Sequence, residues 1–156
     1  MTYEQYEDAI VGLLAMPGVS VSVLPHEAAL VEMRATARPQ LYVIINGSNF
    51  GEPENMGMTA QRETLQCEIF IRAKARRGRL GIFDLYGKIS ERLLGRKLPD
   101  AVTPIVFGQF GYVAGIQNNW QYALTFSFDT YRCEADPDAA EVVGRIKRIT
   151  IQTNEP

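Results

Sequence analysis

The stretch Glu63-Thr-Leu-Gln-Cys-Glu-Ile-Phe-Ile-Arg-Ala-Lys-Ala75 decides the fold class, because its residues alternate over almost its whole length. Successive side chains of a β-strand point to opposite faces, which separates an apolar set from a more polar one. The apolar set comprises Leu65, Cys67, Ile69, Ile71 and Ala73. The segment is longer than most strands, so we expect one end to project beyond the sheet.

Helices flank this strand on both sides in the sequence. Near the N-terminus, Thr2 and Gln5 have the spacing of a capping box, and apolar residues recur every three or four positions until Pro17. The second predicted helix runs from Leu80 to Leu94 and is followed by Gly95, a residue typical of the position after a helix. We therefore expect two main helices.

The remaining segments predict further strands and connections. Strands are expected at 19–24 and 41–45, and a glycine-interrupted hairpin at 105–116 with 120–128. Residues 26–35 are interpreted as a short helix or an irregular connection, and residues 46–61 as a long loop. This order predicts an α+β fold with an antiparallel sheet, in a domain over 1–133. Residues 134–156 are interpreted as a C-terminal extension that could hold a short helix and a strand.

Composition narrows the classes of protein. A chain of 156 residues with 46% hydrophobic and 22% charged residues suits a single globular domain and not a disordered one. The acidic start lacks the pattern of a secretory signal, and the apolar runs are too short to span a bilayer. Two cysteines, Cys67 and Cys133, are interpreted as reduced, packed thiols of a protein that folds in cytoplasm.

Residues that could carry catalysis are scarce. His26 is the only histidine, so a catalytic triad or a histidine-rich metal site has little to draw on. The sequence contains no C-x-x-C, H-E-x-x-H or phosphate-loop pattern. We therefore expect a protein that is not an enzyme and that uses no cofactor and no metal.

Charge is distributed unevenly along the chain. Residues 1–34 carry five acidic residues and one basic residue, whereas residues 72–97 carry nine basic and two acidic ones. The densest basic run contains Arg72, Lys74, Arg76, Arg77 and Arg79. Three interpretations of the run stay open: a protein–protein contact, a solvated turn, or a phosphate-binding surface for nucleic acid. The sequence pI near 5.5 weighs against a dedicated nucleic-acid binder.

The ordered segments resemble those of the Mu-like phage tail-terminator, or tail-completion, proteins. The similarity covers roughly residues 3–132 and depends on the order of several degenerate segments. These are Tyr6–Leu14, Pro17–Val23, Pro39–Ile45, Ile71–Arg76, Gly81–Ile89, Leu94–Leu98 and Trp120–Phe126.

This resemblance implies a structural role in the virion tail, with assembly in the host cytoplasm. Such proteins form a ring, usually a hexamer, on the head-proximal end of the tail tube and end its polymerisation. The implied partners are further copies of the chain, the tail tube protein, the head connector protein and, in a contractile tail, the sheath protein. Membranes are not among them, and DNA would pass through the ring only as cargo.

A closed ring needs two different, complementary patches on each subunit. We interpret Glu4, Glu7 and Asp8 of the first helix as one patch and the basic run as the other. Phe50, Met56 and Met58 of the expected long loop are candidates for contact with the tube or connector, because methionine adapts to varied surfaces. The alternatives are another head–tail joining protein, or a nucleic-acid-binding accessory protein that uses residues 72–79.

Overall fold

Two helices and six strands form the part of the chain that the computed structural model describes, which is residues 1–25, 38–55, 57–116 and 118–135. The helices are α1 (Tyr3–Leu14) and α2 (Ile82–Leu93). The strands are β1 (Ser20–Val23), β2 (Gln40–Phe50), β3 (Glu54–Asn55), β4 (Thr59–Ala73), β5 (Val106–Ile116) and β6 (Asn119–Cys133). The predicted α+β class is confirmed.

The strands form one sheet in the order β1-β2-β4-β6-β5, and β3 pairs separately with β4. All pairs are antiparallel except β1 with β2, which run parallel at one edge. A parallel pair needs a long connection to bring the chain back to its starting edge, and residues 24–39 provide that length. The predicted hairpin of β5 and β6 is present, with register shifts near Gly108 and after Tyr112.

One face of the sheet and both helices enclose the core. The alternation of β4 is confirmed, since Leu65, Cys67, Ile69, Ile71 and Ala73 are all buried. The helices contribute Tyr6, Ile10, Leu14, Ile82, Leu85, Ile89 and Leu93, and β6 contributes Tyr122, Leu124, Phe126 and Phe128. Burial of each large apolar side chain stabilises the fold by about 1.5–3 kcal/mol.

The ends of α1 are satisfied in two different ways. At its start, the Thr2 side chain accepts from the Gln5 amide at 3.2 Å and the Gln5 side chain accepts from the Thr2 amide at 2.8 Å, which confirms the capping box. At its end, Arg92 of α2 donates to the Leu13 and Ala15 carbonyls. α1 has no basic residue in its last turn, so α2 supplies the missing donor and positive charge.

The prediction of a long loop at 46–61 was wrong over most of that segment. β2 continues to Phe50 after a register shift between Ile45 and Gly47, and β4 begins at Thr59. These residues are polar and lack an apolar alternation, so the sequence carries no strand signal. Their backbones are paired because β6 extends alongside β4 as far as the pair of Ala60 and Cys133.

These extended strand ends form a projection that we call the arm, comprising residues 50–55, 57–62 and 131–134. Nearly all of its side chains are exposed. The prediction that one end of β4 projects beyond the sheet was wrong, because β4 is paired with β6 from Ala60 to Ala73, almost its whole length.

Several sequence predictions fall on other parts of the chain. The predicted helix or connection at 26–35 and His26 lie outside the described residues, as does the extension from Asp136 onward. The boundary between a domain at 1–133 and an extension at 134–156 stays a prediction. Within the described ranges, no helix is long and apolar enough to cross a membrane.

Candidate functional site

The basic run forms an ordered turn at the C-terminal end of β4. The carbonyls of Ala75 and Arg76 accept from the amides of Ile82 and Phe83 at 3.0 and 3.1 Å, so the turn supplies partners for the first amides of α2. The Gly81 amide closes the turn by donating to the Gly78 carbonyl at 3.0 Å. The exposed basic side chains therefore project from a backbone held by α2.

The backbone of the basic turn passes very close to Gly81. A Cβ atom there would lie 2.7 Å from the Arg77 carbonyl oxygen and 2.9 Å from the Arg77 carbonyl carbon, both backbone atoms. The neighbouring Leu80 has a φ of 58° and donates its amide to Asp84 at 2.9 Å. That bond, together with the bond from Lys88, lowers the pKa of Asp84.

Arg72 is separated from the rest of the basic run. It is only 5% exposed, and its Nε donates to Gln121 on the neighbouring strand at 3.0 Å. The strand register explains this placement, because Arg72 pairs with Gln121 within the sheet whereas Lys74 already lies beyond the strand end. The exposed basic surface consequently begins at Lys74.

Arg76 joins the basic turn to a group of aromatic rings. Its guanidinium lies 5.5 Å from the centroid of the Phe83 ring and 5.2 Å from that of Trp120. Its Nε also donates to the Tyr122 hydroxyl at 3.1 Å. Each cation–π contact is worth about 0.5–1 kcal/mol at an exposed site, so Arg76 acts as an internal link as well as a surface charge.

The aromatic rings continue across the end of the sheet. Tyr112 packs edge-on against both Trp120 and Tyr122, with centroid distances of 5.9 and 5.7 Å. Tyr112 and Trp120 remain 57% and 37% exposed and line an open groove of about 370 Å³ with Gly115, Asn118 and Asn119. We call Arg76, Phe83, Tyr112, Trp120 and Tyr122 the aromatic–arginine cluster.

The arm presents different chemistry at the opposite end of the sheet. Phe50 and Met58 are 55% and 45% exposed, and Glu52 and Glu54 are exposed between them along the chain. Arg62 and Arg132 are basic residues of the arm, and both are paired, with Asp129 and Glu63 respectively. The exposed charge of the arm is therefore mainly acidic.

A buried carboxylate connects the root of the arm to α1. Glu63 is 1% exposed and accepts hydrogen bonds from Tyr3, Ser48 and Arg132, with a distance of 2.8 Å to the Ser48 hydroxyl. Burial alone would raise the pKa of Glu63, but these three donors outweigh it and lower the pKa below its usual value. The network ties α1, β2, β4 and β6 together where the arm begins.

The two ends are far apart within one molecule. Glu63 pairs with Thr130 at the arm end and Ala73 pairs with Trp120 at the cluster end, ten residues further along β4. At the usual rise of a β-strand, this corresponds to about 33 Å. The acidic and basic surfaces of one subunit therefore lie too far apart to neutralise each other directly.

The structure divides the residues named from the sequence into several groups. Lys74, Arg77, Arg79, Glu4 and Asp8 are exposed, as expected of interface residues, while Met56 lies outside the described residues. Glu7 is half-buried and its carboxylate accepts from the Ile45 amide at 2.9 Å, which ties α1 to β2. The sequence did not single out Tyr112 and Trp120 as surface residues, because strand alternation placed Trp120 on the core face.

The described residues contain two cysteines, Cys67 and Cys133, and both are free thiols. They contain no group of three or more His, Cys, Asp or Glu side chains placed to hold a metal ion. Cys67 is a buried core residue, as predicted, and burial raises the pKa of its thiol to about 12. Cys133 is exposed, so the prediction of a packed thiol was wrong for that residue, which lies at the end of β6.

Comparison with known proteins gives one family and no individual curated relative. No curated protein matches the chain. A protein-family model described as Gp37 protein matches residues 13–153, which is most of the sequence. Proteins of this family are associated with phages. The chain thus belongs to the Gp37 protein family of phage-associated proteins.

Proposed function

We propose that this protein is a structural component of a phage tail, which assembles head to tail into a ring and caps the head-proximal end of the tail tube. The family match supports a phage structural protein. The observation that carries the ring is the separation of charge along the molecule. Glu4 lies beside Tyr3, which contacts Glu63 at the arm end, and Asp8 lies one turn further along α1. Lys74, Arg77 and Arg79 are exposed after the other end of β4. Complementary patches at opposite ends favour contacts between copies over contacts within one copy.

In this proposal the ring contacts the tube protein on one side and the head connector on the other. A contractile tail would add the sheath protein. The protein carries no reaction and holds no cofactor or metal. DNA crosses the assembly only as cargo.

The test of self-assembly is a charge swap measured by light scattering. We expect the wild-type chain to form a discrete ring of about six copies at low salt, with dissociation at moderate salt because screening weakens exposed ion pairs. R77E/R79E and E4K/D8K should each remain monomeric under the same conditions. Circular dichroism of each variant shows whether its fold is intact.

Mixing the two variants supplies the decisive control. The acidic turn of one variant then faces the lysine-bearing helix of the other, and both kinds of contact are complementary again. We expect the mixture to regain the ring as an alternating assembly. Rings formed by either variant alone, or a mixture that stays monomeric while the wild type assembles, would contradict the proposed patches.

The position in the tail needs a separate test. Substoichiometric amounts of the chain, added to polymerising tail tube protein of the same phage, should arrest elongation and yield short tubes in electron micrographs. Assembly into a ring without an effect on tube length would favour another head–tail joining protein.

A second candidate function is binding of nucleic acid. Exposed Trp120 and Tyr112 beside Lys74 and Arg77 are a combination that can stack bases and contact phosphates. Retention on DNA that falls steeply with salt and is lost in Trp120→Ala would support this candidate.

A further inference from the structure

The arm exposes apolar side chains in a region that adds nothing to the core of its own subunit. Phe50 and Met58 are about half exposed, at the ends of β2 and at the approach to β4. Phenylalanine and methionine gain from removal from water, and methionine also packs favourably against aromatic rings. The arm therefore has the composition of a segment that is covered in an assembly.

The aromatic–arginine cluster has the complementary composition. Tyr112 and Trp120 line an open groove of about 370 Å³, whose mouth includes Asn118 and Asn119. Aromatic rings of this kind form central anchors of protein interfaces because they offer large apolar areas with little loss of side-chain entropy. The rings are already oriented by their contacts with Arg76 and Tyr122, so binding requires little further ordering.

Charge selects which partner fits this groove. Lys74 follows Ala73, which pairs with Trp120, and Arg77 follows Arg76, which contacts the Trp120 ring. Both basic side chains are exposed, as are Glu52 and Glu54 of the arm. An acidic, apolar segment matches a basic, aromatic surface. The arm of the same subunit cannot reach it, since the two ends are separated by about 33 Å of β4.

We propose that the arm of one copy docks into the Tyr112–Trp120 groove of the next copy, with Phe50 and Met58 against the rings. Glu52 and Glu54 then face Lys74 and Arg77. This assignment rests on the proposed head-to-tail assembly. It adds the arm and the groove to the contact that Glu4 and Asp8 of α1 make with the basic turn in that assembly.

Trp120 makes the contact measurable, because it is the only tryptophan in the chain. Its emission therefore reports on the groove without a label. We expect a blue shift as the wild-type protein assembles with increasing concentration, in parallel with the mass measured by light scattering. The double variant F50A/M58A should assemble about tenfold more weakly or worse, and its emission should remain unshifted over the range in which the wild type shifts.

Leu94→Ala is the matched control, since Leu94 is also a large apolar residue and 54% exposed but lies at the end of α2. It should assemble and shift as the wild type does. Circular dichroism of F50A/M58A should be unchanged because both side chains are exposed. If F50A/M58A does not fold, the single variants F50A and M58A are measured instead. Each should weaken assembly by less than the tenfold expected of the double variant.

The outcomes separate this inference from the proposed function. Rings that form without a shift of Trp120 emission, or that tolerate F50A/M58A, leave the ring intact and overturn the docking of the arm. A chain that remains monomeric at every concentration overturns both. A shift produced by DNA and not by protein concentration overturns the docking and favours nucleic acid as the occupant of the groove.

Discussion

The charged side chains at the two ends of β4 differ in their exposure to water. At the arm end, Glu63 is buried and its charge is met by Tyr3, Ser48 and Arg132. At the cluster end, Lys74 and Arg77 stay in water, and it is the backbone beneath them that is held in place. A charge that stabilises the fold is enclosed by partners, whereas a charge available to another molecule is exposed on a rigid support.

Glu63→Ala should produce the largest loss of stability, because it removes the hydrogen bonds and the ion pair at the arm end. Removal of the carboxylate leaves the Tyr3 and Ser48 hydroxyls bonded to each other but without the stronger, charged acceptor, and leaves Arg132 without its counter-charge, at a cost of about 3 kcal/mol. Urea unfolding should show a lower midpoint. Glu68→Ala on the same strand is the control, with a change within about 0.5 kcal/mol, because the hydrogen bond that Glu68 accepts among the described residues comes from exposed Asn46. Equal effects of both variants would contradict a special role for Glu63.

Gly81→Ala should produce the next largest effect and act on the cluster end. The new Cβ would contact the Arg77 backbone and force the basic turn to shift, which should destabilise the protein by about 2 kcal/mol. Gly87→Ala within α2 is the control, since nothing lies within 4 Å of its added Cβ. It should stabilise the helix by about 0.5–1 kcal/mol, as alanine is the better helix former. Urea unfolding of both variants should therefore show shifts of opposite sign.

Acid should weaken the arm end selectively. The folded-state pKa of Glu63 is below its ordinary value of 4.5, so the unfolded chain binds more protons as the pH falls toward that value. The stability contributed by Glu63 is present above the unfolded pKa and is lost as the pH falls through the folded pKa. The difference in unfolding free energy between wild type and Glu63→Gln should be largest at neutral pH and shrink below about pH 5. A difference that stays constant down to pH 2 would contradict this account.

Arg76→Lys should produce the smallest loss of stability, and it tests whether the planar guanidinium of Arg76 holds the aromatic rings in place. Lysine keeps the charge but loses the planar group placed against Phe83 and Trp120, at a cost of about 1 kcal/mol. The emission of Trp120 in the monomer should change as well. Arg77→Lys should leave both stability and emission unchanged, and a similar change in both variants would show that the stacking is not specific to Arg76.

Much of the fold could be predicted because short-range patterns reflect burial directly. The alternation of β4, the capping box at Thr2 and the presence of a helix between Leu80 and Leu94 each depend on residues close in sequence, and the structure confirms all three. The arm could not be predicted in this way. Its strands are polar and exposed, and they exist because β4 is long enough to pair with β2 and β6 at the same time.

The candidate surfaces likewise include some features that could be predicted from the sequence and others that could not. The segregation of charge could be predicted from the sequence, as could the position of Arg76, Arg77 and Arg79 directly after a strand. The sequence placed Lys74 inside that strand, which in the structure ends at Ala73. Three contacts could be recognised only in the tertiary structure. Arg72 is buried against Gln121, and Arg76 stacks on Trp120. Glu63 is enclosed by Tyr3, Ser48 and Arg132. These contacts join residues 15 to 69 positions apart, and strand register rather than local sequence brings them together.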